Sequence, residues 1–181
     1  VDEQSVMQSS VEWLLRHGPN RTGRVGLFVI SYGGFFTAAG MIGTHPAIRA
    51  ASPQAPVADL FLDDDWYHGG AFMLAHAFNS VSVYQPQAEP TPPAKVAVPF
   101  DYGTEDGYEF YLRAGPMANL AARLGTGNPT WDELLAHPTY DEFWQSRAIW
   151  RHLQAIRSPV LPVGGGLDRE ARKGPFRAHR G

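Results

Sequence analysis

The sequence has no cysteine, little charge and no long apolar run. The lack of cysteine excludes disulfide scaffolds, thiolate metal sites and cysteine nucleophiles. The sequence has 15 Lys and Arg against 18 Asp and Glu, a net charge of −3. This charge gives no electrostatic reason to expect binding to nucleic acid. No stretch approaches the ~20 apolar residues of a membrane span, and we expect no membrane partner.

The sequence does contain enough apolar material for one core. Of its 181 residues, 44% are hydrophobic and 12% aromatic, which excludes a disordered chain, a collagen and a coiled coil. The length is that of about one domain. Because Val1 is not an initiator Met and Gly181 follows a basic stretch that closes no element, we expect a piece of a larger protein.

Helix and strand patterns alternate at the start of the chain. The spacing of apolar residues predicts a helix over 4–16. The apolar run at 24–30 predicts a strand buried on both faces, as in a parallel sheet. A buried helix over 35–42 and a second strand over 48–55 follow. This order indicates an α/β fold with parallel strands.

The character of the sequence changes after residue 56. Aromatic residues become frequent, and the proline-rich stretch 85–99 is expected to be extended. Residues 131–156 are helical in pattern, and 159–163 predict a third buried strand. We therefore predict that an insertion at 57–150 interrupts the sheet.

Ser31 stands between the first predicted strand and the Gly-rich start of a helix. This is the arrangement of a nucleophile elbow, a tight turn that projects the serine Oγ. The Tyr32 N–H would then lie at a helix N-terminus, where the dipole favours negative charge on an oxyanion. Gly33 and Gly34 meet the need for small neighbours, whereas Val29 stands where G-x-S-x-G has glycine. An ordinary Ser-Tyr-Gly-Gly turn is the alternative.

A family resemblance follows from these motifs. Residues 26–35 (GLFVISYGGF) resemble the G-x-S-Y-x-G elbow of the X-Pro dipeptidyl-peptidase, cocaine esterase and α-amino-acid ester hydrolase family, which includes glutaryl 7-aminocephalosporanic acid acylase. The resemblance continues through 52–57 (SPQAPV), 63–72 (DDDWYHGGAF) and 137–144 (HPTYDEFW), and it ends in the loop before Asp168. It covers nearly the whole chain in the right order.

The resemblance implies a partial α/β-hydrolase fold, with a parallel-strand core at 1–56 and 151–181 and a mainly helical cap at 57–150. It implies that Ser31 is the nucleophile and that the Tyr32 N–H contributes to the oxyanion hole. Asp168, in Gly-Gly-Gly-Leu-Asp, is the implied triad acid, which orients a histidine. The residues around Asp168 depart from the family pattern, which leaves a plain turn residue as the alternative.

No histidine in the chain suits the triad. His179 follows Asp168 too closely for the helix, strand and loops that should separate them. The other histidines precede the acid and are interpreted as surface or supporting residues: His17, His45, His68, His76, His137 and His152. We therefore expect that the chain lacks parts at both ends and is poorly stable alone, because its sheet edges would be exposed.

The cap offers candidate substrate contacts. Asp141 and Glu142 resemble acids that bind a substrate ammonium group in α-amino-acid ester hydrolases, through charge-assisted hydrogen bonds. A solvated helix start is the alternative for both acids. Trp66 and Tyr140 are two further candidates for substrate contact, because pockets that bind acyl groups are mostly apolar.

No metal or cofactor is expected. Three aspartates at 63–65 with His68 suggest metal ligands, but a loop for a hard cation needs more oxygen ligands at fixed spacing. We interpret the run as a solvated loop.

We therefore predict a serine hydrolase of the X-Pro dipeptidyl-peptidase and cocaine esterase type. It would cleave acyl or dipeptidyl esters or amides, in a small molecule or peptide, through an acyl-enzyme on Ser31. The alternative is a catalytically inactive fragment or remnant with only a cap-type binding surface. Family members differ in substrate, location and assembly, so a homo-oligomeric parent enzyme is one expectation among others.

Overall fold

The computed structural model describes residues 3–43, 45–62, 65–84, 99–125 and 127–165. The protein divides into two compact units. The sheet unit comprises Val1–Ala71 and Glu142–Gly181, and the helical unit comprises Phe72–Asp141. The predicted cap limits, 57–150, are wider than the helical unit and stay a prediction.

The sheet unit opens with the predicted order of helices and strands. Helix α1 spans Glu3–His17, strand β1 Val25–Ile30, helix α2 Tyr32–Met41 and strand β2 Ile48–Gln54. The helix predicted over 35–42 thus begins three residues earlier, directly after Ser31. Strands β1 and β2 pair in parallel, as predicted.

The third predicted strand lies on the other side of β2. Val160 and Val163 form parallel bridges with Ala51 and Gln54. Leu161 N–H donates to the Ala51 carbonyl at 2.9 Å. Pro53 in β2 carries no N–H to donate to the Leu161 carbonyl, which accepts from Ser52 Oγ at 2.9 Å instead, so the pairing consists of separate bridges rather than a continuous ladder.

The prediction that β1 is buried on both faces is wrong. Only Leu27 is buried in this strand, while the side chains of Phe28 and Ile30 are 65% and 58% exposed. Successive strand residues point to opposite faces. The face that carries Leu27 packs on the helices, and the described residues leave the other face open to solvent.

The core of the sheet unit is aliphatic. Its buried members come from both helices, both strands and the returning chain: Val11, Leu27, Ala38, Ala39, Met41, Ile48, Ala51, Ile149 and Leu153. Helix α2 lies very close to α1, since a Cβ at Gly40 would overlap the Met7 side chain. Small residues on α2 therefore allow the two helices to pack closely.

The helical unit follows two short strands, β3 (Tyr67–His68) and β4 (Ala71–Phe72). It contains α3 (Leu74–Val83), α4 (Gly107–Ala114), a 3-10 helix (Met117–Leu124) and α5 (Pro129–Ala136). Asp106 caps α4 and Asn128 caps α5, each accepting hydrogen bonds from two N–H groups of the first turn. Most of the proline-rich stretch, 85–98, lies outside the described residues.

Aromatic rings form the core of the helical unit. Phe78 has no exposed surface. Five rings lie with their centroids 5.0–6.3 Å from its own: Phe100, Tyr102, Phe110, Tyr111 and Trp131.

The chain returns to the sheet unit through α6 (Glu142–Arg147) and a 3-10 helix (Ile149–Ala155). Ile149 N–H donates to the Ala58 carbonyl at 2.9 Å. The carboxylate of Asp59, which is buried, accepts from Trp150 Nε1 at 2.9 Å and from the N–H groups of Phe61 and Leu62. This carboxylate therefore ties the departing chain to the returning chain.

Among the helices that the structure describes, none has the length and apolar character needed to cross a bilayer.

Candidate active site

Ser31 occupies a turn that joins β1 directly to α2. Its backbone φ is 61° and ψ −125°, a conformation that non-glycine residues rarely adopt. Its N–H donates to the Gln54 carbonyl at 3.0 Å, which continues the sheet pairing. Its own carbonyl accepts from Phe35 N–H at 3.0 Å, which begins the helix. Ser31 is thus the single residue between the end of β1 and the first residue of α2.

The side chain of Ser31 does not serve as a helix cap. A serine at this position usually accepts a hydrogen bond from an N–H of the first turn. Ser31 makes no such bond, and the residue is exposed. Its strained backbone therefore presents the hydroxyl to solvent at the carboxyl end of β1.

Two glycines make this turn possible. A Cβ at Gly33 would overlap Cγ1 of Val29, and a Cβ at Gly34 would overlap the Gln54 carbonyl oxygen. Val29 replaces the first glycine of the usual pattern, and its side chain occupies the space beside Gly33. The turn thus accommodates Val29 because residue 33 has no side chain.

Tyr32 is the first residue of α2. Backbone N–H groups in the first turn of a helix point out of its end, where the dipole favours negative charge. The Tyr32 ring is half exposed and stacks on Phe35 with centroids 6.1 Å apart. Its hydroxyl lies 3.5 Å from Oε1 of Glu3.

The structure does not place the predicted triad acid, since Asp168 and His179 lie outside the described residues. Trp66 is half-buried in the turn before β3, in the same unit as Ser31. In the described part of the chain, no hydrogen bond joins a histidine to Ser31.

Tyr140 and Asp141 end the helical unit, and Glu142 begins α6 of the sheet unit. Asp141 is paired with His137, which the sequence predicts to be a surface or supporting residue. His137 Nδ1 lies 2.7 Å from Asp141 Oδ2, and its Nε2 lies 3.3 Å from Glu133 Oε2. The spacing of four explains the contact between Glu133 and His137, because residues four apart share one face of a helix, whereas Asp141 lies beyond the end of α5.

Glu142 lies in the first turn of α6 and is exposed. A carboxylate there interacts favourably with the helix dipole without any ligand. Within the ranges that the structure describes, no three His, Asp or Glu side chains are grouped as metal ligands. Asp63 and Asp64 fall outside those ranges.

The chain is similar to several known hydrolases. The family profile of the X-Pro dipeptidyl-peptidases (S15 family) matches residues 1–181. Cocaine esterase of Rhodococcus sp. (strain MB1 Bresler) is 25% identical in an alignment that covers 93% of this chain and 30% of the esterase.

Two solved structures share the fold. An aminopeptidase from a marine sediment archaeon, Thaumarchaeota archaeon, superposes with a TM-score of 0.83 and 32% identity. An α-amino acid ester hydrolase superposes with a TM-score of 0.82 and 26% identity. Each alignment covers 99% of this chain and 29% of the other protein. The chain thus spans about three tenths of the length of these relatives, and the predicted partial α/β-hydrolase fold is confirmed.

Proposed function

The chain belongs to the X-Pro dipeptidyl-peptidase (S15) family, as its motifs predict, and from this membership we propose that it supplies the nucleophile of a serine hydrolase. The observation that carries the proposal is the conformation of Ser31. An exposed, uncapped serine with φ of 61° between a parallel strand and a helix has the geometry of a nucleophile elbow. An ordinary turn would not require Ser31 to adopt this strained backbone conformation.

The proposed reaction has two steps. Ser31 Oγ attacks the carbonyl carbon of an ester or amide while a histidine base takes the hydroxyl proton. The Tyr32 N–H donates to the oxyanion at the end of α2. The carbonyl–heteroatom bond breaks, the alcohol or amine leaves with the proton, and water hydrolyses the acyl-enzyme. Asp168 would orient the base.

The names of the relatives favour esters and amides as substrates. They comprise an esterase, an ester hydrolase of α-amino acids and an aminopeptidase. An α-amino acid ester carries an ammonium group at neutral pH. We assign Asp141 and Glu142 to this group and Trp66 and Tyr140 to the apolar part of the substrate.

A second candidate is a chain that is catalytically silent by itself. The absence of a hydrogen bond between Ser31 and any described histidine favours it. In that case the 181-residue chain only binds ligands through its cap.

Labelling by a fluorophosphonate probe tests the first candidate, because the probe forms a covalent bond with an activated serine. We expect one labelled site in the intact gene product, lost in Ser31→Ala and retained in Ser10→Ala, an exposed serine of α1. A folded protein that takes up no label contradicts the proposal. Hydrolysis of a chromogenic ester by the 181-residue chain, abolished by Ser31→Ala, would refute the silent alternative.

A further inference from the structure

A cavity lies at the end of the sheet opposite to Ser31. Its volume is about 590 Å³, and its walls come from the connection before β2 and from the segment before Val160. Ser31 follows the carboxyl end of β1, whereas the cavity lies at the amino end of β2, which runs parallel to it. The two places are separated by about 20 Å, the length of these strands at ~3.3 Å per residue. The cavity is therefore distinct from the proposed active site.

The charged side chains that line this cavity are all basic. They are Arg49 and Arg157, and no Asp or Glu from the described chain lines the cavity. Neither Arg49 nor Arg157 has an ion pair or side-chain hydrogen bond within the described ranges, and both residues are exposed. Arg24 and Arg123 also lack such a bond within the described ranges but do not line the cavity, and the other described arginines donate to a side chain or a carbonyl: Arg16, Arg21, Arg113, Arg147 and Arg151.

Two further donors complete the lining. Ala47 N–H donates to His45 Nδ1 at 3.1 Å, so the proton of the neutral ring lies on Nε2. The hydroxyl of Ser158 is buried and has no hydrogen-bond partner among the residues that the structure describes. Such a hydroxyl can rotate about χ1 toward an acceptor in the cavity. The lining is thus rich in donors and in positive charge.

We propose that this cavity binds a dianionic phosphoryl group through Arg49 and Arg157, with His45 and Ser158 as additional donors. A guanidinium group presents paired N–H donors that match two phosphate oxygens. The exposed oxygens of a phosphate accept several such bonds at once. The volume exceeds that of a phosphate ion, so the group can belong either to inorganic phosphate or to an organic phosphomonoester.

The test is a ³¹P NMR titration of the full chain at constant ionic strength. Inorganic phosphate is one ligand and phenyl phosphate is the other. We expect saturable one-to-one binding of at least one of them, and the tighter ligand identifies the source of the phosphoryl group. Arg49→Gln and Arg157→Gln should each raise Kd about tenfold, since each removes a charge-assisted pair of bonds.

Two variants serve as controls. Arg123→Gln removes the same charge from an exposed residue of the helical unit and should leave Kd unchanged. Arg49→Lys keeps the charge but loses the paired donors, so we expect a smaller rise of about threefold. Far-UV circular dichroism checks that each variant keeps the fold. If a glutamine variant does not, the lysine variant at the same position, Arg49→Lys or Arg157→Lys, replaces it.

Three results would overturn the proposal. The first is no saturable binding of either ligand to the unaltered chain. The second is equal affinity in Arg49→Gln, Arg157→Gln and the unaltered chain. The third is an equal loss of affinity in Arg123→Gln, which would mean that phosphate binding depends only on the net charge of the chain.

Discussion

The two units of this protein differ in what fills their interiors. The sheet unit packs aliphatic and small side chains, and α2 is so close to α1 and to β2 that Gly40 and Gly34 have no room for a Cβ. The helical unit packs aromatic rings around Phe78. Close backbone packing in the sheet unit holds Ser31 in a strained conformation, whereas the helical unit depends on side-chain volume. Added atoms should therefore harm the first unit most and removed atoms the second.

The largest effect is expected from removing the central ring of the helical unit. Phe78→Ala should lower the free energy of unfolding by about 3–5 kcal/mol, because a fully buried aromatic side chain leaves a cavity. Urea unfolding followed by tryptophan fluorescence measures it. Tyr108→Ala in the same unit, at a side chain 76% exposed, should change stability by less than about 0.5 kcal/mol. Equal effects of the two substitutions would mean that the aromatic core does not contribute to the free energy of unfolding.

Adding one carbon to the sheet unit should have the next largest effect. Gly34→Ala forces a Cβ onto the Gln54 carbonyl and should cost about 2–3 kcal/mol, with loss of probe labelling at Ser31. Gly26→Ala is the matched control in β1, since no atom lies within 4 Å of the added carbon. We expect it to be neutral within about 0.5 kcal/mol in the same urea experiment. If Gly34→Ala were equally neutral, the close packing around the turn would not be what holds Ser31 in its conformation.

Among the described residues, each unit has a buried polar side chain that orders a turn, and we expect the loss of either side chain to lower the free energy of unfolding less than the substitutions above. Asn128 accepts from Thr130 N–H and Trp131 N–H, and Asn128→Ala should cost about 1 kcal/mol, as for other helix caps. Asp59→Ala should cost about 2 kcal/mol, because it also removes the acceptor of Trp150 Nε1. Thermal and urea unfolding compare the two. A larger loss for Asn128→Ala would reverse this part of the comparison.

The smallest difference between the units is expected in the stability that each loses at alkaline pH. Burial raises the pKa of Tyr67 in the sheet unit, and burial together with the neighbouring Tyr102 raises the pKa of Tyr111 in the helical unit. In the unfolded chain both tyrosines ionise near pH 10, so the stability that they provide is present below pH 10 and is lost as pH rises above it. Tyr111→Phe should reduce this loss more than Tyr67→Phe. Urea midpoints at pH 8 and pH 11 measure it, and equal midpoints would contradict the expectation.

The sequence predicts the local elements well and their surroundings less well. The periodicities identify α1, β1, α2 and β2 because apolar spacing is a property of neighbouring residues. The apolar run of β1 predicts burial on both faces, but exposure depends on which elements lie beside the strand. That information comes from distant parts of a chain, and here Phe28 and Ile30 stay exposed.

The same distinction applies to the candidate site. The serine and its two glycines indicate a tight turn because all of them belong to one short motif. The contact between Asp141 and His137 was missed, because it depends on where α5 ends. The tie between Asp59 and Trp150 could not be predicted either, since it joins residues far apart in the chain.

The fit between Val29 and Gly33 has a consequence for how such serines are recognised. The side chain of Val29 fills the space beside Gly33, so in this turn the glycine at 33 removes the need for a glycine at 29. The usual pattern G-x-S-x-G therefore asks for two glycines where the geometry of this turn uses only the second. A search for hydrolases that asks for glycine on one side or the other would retain sequences of this type, which the stricter pattern discards.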